Sequence, residues 1–489
     1  MLGMYVHTHW GYNRPYSARR WTVPDWEGYL EGLSRLGFDT VKIWPQIDTM
    51  PLIPTESDQA YLKTLAQATE IAHSRFRMKV ILVLTANCIG NDKAAGYEFH
   101  NRPYFICEKK VNPGDQAEVA ALMAQRRNAL HLVPKADAIA VIDSDPGGYI
   151  GATNDQFVDL CVRQAELFRA INPAGEFVYW MLAGWETYCR FWAAQRDEKD
   201  PDPDLWTYRN PTDFEDTLTL LQSRMPEPWW VTGWLDLHEQ ALDRLGLAER
   251  AMLYPYGAIE GEPVFPLTVC YGGIEDRLTP GALARYPLGV MGNAQTHCLQ
   301  LPHTYWFAHV AQGGTMATTD LAAFAERLLP GLGDRIAAAW NVIEPVNPDR
   351  RIQAAHQLRA VVGQPHKLGD LAGLLFGNAD RFLVDLAMNL ELRSAMAAFS
   401  QAVDENRDVR ATLSVALERF TAYQQRVGFV DAYGGPLTQL LHKPLSKLED
   451  PGLNAVLHDF GDWRNPGVRN GILPRLIAAI AQYVHNNGK

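Results

Sequence analysis

The sequence is notable first for what it lacks. Its six cysteines stand at 88, 107, 161, 189, 270 and 298, with no CxxC pair and no regular spacing. That pattern argues against a disulfide framework or a zinc cluster and is read as buried free thiols. No apolar run reaches the length of a membrane span, and no basic segment precedes an apolar one at the start. The expectation is a cytoplasmic chain with no membrane partner. Basic residues are outnumbered, 45 Lys and Arg against 56 Asp and Glu, for a net charge of −11. Phosphate binding needs a basic surface, so nucleic acid is excluded as a partner. No Gly-rich phosphate loop follows the first apolar run, which speaks against an open dinucleotide-binding sheet. No short repeat is evident in the C-terminal 170 or so residues.

What is present is an alternation. Across the first three hundred residues, short apolar runs are followed by polar loops and amphipathic helices. The runs are 4–10, 39–45, 79–84, 138–143, 176–182, 229–235, 251–257 and 288–293. Each is short and rich in Val, Ile, Tyr and Trp, as buried parallel strands are. Helical spacing fills the gaps. Thr22-Val-Pro-Asp25 opens one helix like a cap, Tyr29, Leu33 and Leu36 share its face, and Gly37 stops it. Further helices are expected near 58–75, 115–131, 154–170, 213–224 and 238–248. Eight strands alternating with helices make a closed (β/α)8 barrel over residues 1–317. From residue 318 to 489 strands vanish, and helices near 319–329, 351–362, 381–403, 408–426 and 472–485 make a helical C-terminal domain. Its long helices at 381–426 offer a surface for a homo-oligomer or for packing on the barrel. Two long connections, 187–228 and 258–287, should lie over the barrel mouth.

In such a barrel the chemistry gathers at the C-terminal ends of the strands. Those ends deliver His7, His9 and Trp10 from the first strand and Lys42, Trp44 and Gln46 from the second. Thr85 and Asn87 follow from the third, then Asp143-Ser-Asp145-Pro-Gly-Gly-Tyr149 from the fourth. The fifth gives Trp180, Trp185 and Glu186, and the sixth Trp234 and Asp236. The seventh gives Tyr256, Glu260 and Glu262, and the eighth Asn293, Gln295 and His297. Aromatic faces for sugar rings, with amides, imidazoles and carboxylates for hydroxyls, read as a carbohydrate site. Glycoside cleavage needs two carboxyl groups, one of them a proton donor.

The strongest local signal is Asp143-Ser-Asp145. Two Asp at i and i+2 on a strand share a face, and close carboxyls repel, which favours one staying protonated. The assignment expected is Asp145 as general acid, Asp143 as the residue that orients or tunes it, and Glu186 as the second carboxylate, with Glu260 in reserve. His7, His9, Trp10, Trp44, Asn87, Tyr149, Trp185, Trp234, Asn293 and Gln295 would line the pocket. The bland alternative has Asp145 capping a turn and Asp143 paired with Lys42 or an arginine.

With these residues in view, the first 315 residues resemble glycoside hydrolase barrels of the hexosaminidase and α-glucuronidase kind. That resemblance implies acidic residues after strand four that donate a proton or orient the substrate. The adjacent Asp-Glu pair of hexosaminidases is absent, and Asp143-x-Asp145 stands in its place, so chemistry assisted by an acetamido group is not implied. His7-Thr8-His9 is also similar to the metal signature of amidohydrolases. That family's further ligands would fall near Asp143, Trp185, Trp234 and Asn293, which do not supply the set. No metal or cofactor is therefore expected. A metal-dependent hydrolase using His7 and His9 and a non-catalytic sugar-binding barrel stay open as alternatives to a glycosidase.

Overall fold

The computed structural model describes residues 1–9, 12–102, 107–143, 152–181, 213–233, 236–255, 259, 274–294, 297–317, 319–343, 348–428, 444–461 and 472–486. Eight parallel strands close a barrel. They are β1 (Leu2–Val6), β2 (Thr40–Ile43), β3 (Lys79–Thr85), β4 (Ala138–Ile142), β5 (Glu176–Trp180), β6 (Trp229–Gly233), β7 (Ala251–Leu253) and β8 (Val290–Ala294). Each pairs with its sequence neighbours, and β8 returns to β1 with Tyr5 opposite Asn293. All eight apolar runs became strands. Six of the strands stop earlier than their runs do, while β3 and β8 run one residue further, and His7, His9, Trp44, Asn87 and Asp143 stand beyond the strand ends, in the loops.

The reason for closure is visible in burial. Nearly every residue of β1 to β4 is buried, on the face turned to the barrel interior and on the face turned to the helices alike, and most are apolar, with Thr40 and Lys42 of β2 as buried exceptions. Helix α1 (Val23–Arg35) begins where the cap-like segment stood. The Asp25 carboxylate accepts from the Thr22 backbone N–H at 2.8 Å and from both Nε and Nη2 of Arg14 at 2.7 Å. Gly37 follows its end at φ +92, a left-handed conformation that glycine adopts without penalty. Helices α2 (Glu56–Ile71) and α3 (Gln116–Leu130) follow, capped by Thr55 and Asp115. The outer layer continues through α4 (Asn154–Ile171), capped by Thr153, then α5 (Asp213–Arg224), α6 (Asp236–Arg244) and α7 (Leu301–Ala311). A two-stranded ribbon, Cys88–Gly90 against Glu108–Lys110, was not anticipated.

After the barrel the described residues are helical. The elements are α8 (Asp320–Leu328), α9 (Gly333–Trp340), α10 (Pro348–Arg359), α11 (Ala379–Asp404), α12 (Arg410–Val427), α13 (Pro451–Gly461) and α14 (Ile472–Asn486). One continuous apolar core runs from the barrel into these helices. At the join, Trp21 and Tyr29 of the barrel pack on Phe376, and a Cβ on Gly373 would lie 2.3 Å from the carbonyl oxygen of Gly28 in α1. Asp385 of α11 is buried between Arg381, at 2.6 Å, Arg426 and the hydroxyl of Tyr16 from the first barrel loop. The four described cysteines, 88, 107, 161 and 298, are buried free thiols. Among the described residues no helix is long and apolar enough to cross a membrane.

Candidate active site at the barrel mouth

Two buried ion pairs brace the mouth before any candidate residue is considered. Asp48 follows β2 and is fully buried. It accepts from Arg126 of α3 at 2.9 Å, from the Thr85 backbone N–H and hydroxyl at 3.0 and 2.8 Å, and from the Trp44 indole at 2.6 Å. A second fully buried pair, Arg102 with Asp58, ties the third loop to α2 at 2.7 Å. Arg19 adds a main-chain anchor. Its guanidinium donates to the carbonyls of Thr8 (2.7 Å), His9, Arg102 (2.8 Å) and Phe99 (3.4 Å). Burial lowers its pKa to about 9. Gln46 and the Thr8 hydroxyl complete the lock, with Gln46 donating to the Thr8 carbonyl and Thr8 to that of Trp44.

On this frame His7 and His9 face one another, Nδ1 to Nδ1, at 2.9 Å. One ring must donate and the other accept, so the contact suits neutral imidazoles. Burial takes the His7 pKa down to about 3, with His297 contributing, and holds His9 well below its usual value. The His7 ring is tilted against Tyr5 at 4.4 Å, and His9 meets the Trp44 ring edge-on at 4.3 Å. Trp44 is itself buried, its N–H on Asp48. Asn87 is buried and donates to the Val111 carbonyl at 2.7 Å, pinning the segment after the ribbon. Asn293 is buried in β8 beside Tyr5.

Asp143 is fully buried at the end of β4. Its backbone N–H donates to the Trp180 carbonyl at 3.1 Å, and its carboxyl accepts from the Tyr179 hydroxyl at 3.2 Å. Its charge, after burial, helps push the Cys161 thiol of α4 up. The expected strand alternation between Asp143 and Asp145 does not apply as stated, because β4 ends at Ile142. Lys42, the partner that the bland reading offered Asp143, lies over the Trp180 ring instead, with Nζ 3.5 Å from its centroid. Asp145, Tyr149, Trp10, Trp185, Glu186, Trp234, Glu260 and Gln295 lie outside the described residues.

Three further residues belong to this mouth: Lys42, Trp180 and His297. All were among the strand-end residues, and none stood out by type or spacing. His297 Nδ1 contacts the Tyr29 hydroxyl at 2.7 Å, and burial takes its pKa to about 3. Trp180 stands edge-on to Tyr5 and Tyr254, at 5.1 and 4.9 Å, in an aromatic box. Among the described residues no group of three or more His, Cys, Asp and Glu is placed to hold a metal ion.

No protein-family profile matches the chain, and no curated protein matches it. Similar solved structures include a GH138 enzyme described as targeting pectin rhamnogalacturonan II. It is 8% identical over 94% of this chain and 68% of its own, with a TM-score of 0.48. CpGH84B is 9% identical over 90% and 76%, at 0.44. A sialic acid aldolase from Aliivibrio salmonicida is 11% identical over 75% and 99%, at 0.34. At this likeness they carry no argument about the chemistry of this chain, which rests on its own residues.

Proposed function

We propose that the chain is a glycoside hydrolase that cleaves a glycosidic bond in an oligosaccharide or glycoconjugate by carboxylate acid catalysis. The observation that carries the reading is Asp143, a carboxyl buried at the C-terminal end of β4 and bonded by the Tyr179 hydroxyl, with Asp145 two residues on. A carboxylate held in that place orients or tunes a neighbouring acid. The polar company fits a sugar. Neutral imidazoles on His7 and His9 both donate and accept, as hydroxyl recognition requires, and Asn293 is the register partner of Tyr5, whose ring packs on His7.

In this reading Asp145 is the general acid, Asp143 its orienting partner, and Glu186 or Glu260 the second carboxylate. His7, His9, Trp10, Trp44, Tyr149, Trp185, Trp234, Asn293 and Gln295 form the pocket, while Asn87 holds the loop after β3. The test is a panel of aryl glycosides and oligosaccharides presented to wild type, Asp145→Asn and Asp143→Asn. Cleavage by wild type, with kcat down about 1,000-fold or more in Asp145→Asn and unchanged melting, is expected. Wild-type turnover in Asp145→Asn would remove that residue from the mechanism.

A further inference from the structure

Lys42 stands in β2 with Tyr5 of β1 and Ile81 of β3 as its register partners. Its side chain is 1% exposed, and its Nζ has no hydrogen-bond partner among the described residues and no ion pair there. Its Nζ lies over the face of Trp180, 3.5 Å from the ring centroid. Trp180 is also buried, and its Nε1–H is likewise without an acceptor among the described residues. Tyr5 and Tyr254 close the box around Trp180. His297 is close enough to His7 to lower its pKa, and its Nε2 is buried and without a partner in the same sense. Burial without a counter-charge holds the Lys42 amine well below its ordinary pKa, so the ammonium form needs an anion beside it. The other buried cations at this mouth, Arg102 and Arg126, have a carboxylate each, and Arg19 has four carbonyls. Lys42 has neither.

We propose that Lys42 Nζ and Trp180 Nε1 form the seat for an oxyanion carried by the ligand, a carboxylate, sulfate or phosphate group on the sugar that enters the mouth. The inference rests on the reading of the mouth as a sugar site and names the class of sugar it selects. An ammonium over the ring face and an N–H at the ring edge together suit the oxygens of one anionic group, and a hydroxyl would leave the ammonium uncompensated. The aromatic walls exclude water, which strengthens the pairing once the anion is in place. A neutral sugar would leave both donors unmet, and the site would reject it for that reason. His297 Nε2, near His7, is left to meet a hydroxyl of the same sugar.

The experiment is calorimetric titration of the full chain with glucose, glucuronate, glucose 6-sulfate and glucose 6-phosphate. At least one acidic sugar should bind about 100-fold more tightly than glucose, and the one that does identifies the anion. Lys42→Met, which keeps length and loses the charge, should abolish that preference while melting no lower than wild type. Trp180→Phe keeps a ring beneath Lys42 and removes the N–H, and should cut the preference about 10-fold. Equal affinity for glucose and all three acids, or a preference that survives Lys42→Met, overturns the proposal. So does borohydride trapping of an aldehyde sugar on Lys42, which would make the amine a nucleophile. If none of the four sugars binds, the melting temperature is followed with acetate, sulfate and phosphate. A rise that requires Lys42 keeps the anion seat and removes the sugar reading. No Lys42-dependent response to any of these ions removes the seat itself.

Discussion

At the scale of single residues, the mouth is built from groups held in the charge state that burial favours. His7 and His297 both have pKa values near 3 because their surroundings penalise the imidazolium. In the unfolded chain they return to about 6.5, so below that pH the unfolded state binds protons that the folded state does not. Stability is therefore fully present above about 6.5 and falls as pH drops from 6.5 towards 3, by about 1.4 kcal/mol per pH unit for each such histidine. Urea titrations at pH 7.5, 6 and 5 should show that loss, and His297→Asn should flatten its slope relative to wild type. An unchanged slope in the variant would mean that the His297 imidazole is not held neutral by the fold. The same scale shows what a sequence hides. Lys42, Trp180 and His297 were visible as strand-end residues, yet their significance lies in atoms that have no partner among the described residues. That is a property of neighbours brought from β1, β5 and the loop after β8, which no local spacing encodes.

At the scale of elements, the barrel was legible because its strands obey one rule. Each is a short run of β-branched and aromatic residues between polar loops, and burial on both faces leaves no polar alternation to confuse the reading. The ribbon was missed because its strands, Cys-Ile-Gly and Glu-Lys-Lys, are three residues each and carry no periodic pattern. Helix α7 escaped notice for the opposite reason: Leu301–Ala311 has apolar residues around most of its circumference and no clear polar stripe. Spacing also could not reveal how α1 meets the C-terminal helices. Their backbones approach through Gly28 and Gly373, and the side chain of Leu374 fills the space over Gly32. Gly373→Ala forces a Cβ against the Gly28 carbonyl, so it should destabilise the protein by about 1–3 kcal/mol. Thermal or urea unfolding of the variant checks this, and an unchanged midpoint would mean that the two backbones separate freely.

At the scale of the whole molecule, the sequence suggested a division at residue 317, and the packing bears on how independent the two parts are. One apolar core joins them, and Asp385 gathers Tyr16 from the barrel with Arg381 and Arg426 from the helices. Shared core and shared charge couple their unfolding. Tryptophan fluorescence, weighted to the barrel, and far-UV circular dichroism, weighted to the helices, should therefore give coincident unfolding transitions. Two separated midpoints would show that the helical part melts on its own.

The Arg19 anchor has a consequence for how this mouth can change over time. Its guanidinium holds the loops after β1 and β3 by four main-chain carbonyls and, of their side chains, lies over the Phe99 ring, 5.9 Å from its centroid. Every amino acid presents the same carbonyl, so the identity of the residues at 8, 9 and 102 is left open as far as this clasp is concerned. Mutation can then rewrite what the loops display towards a ligand while their backbone course is kept. Such a barrel can drift from one substrate to another without first losing its shape.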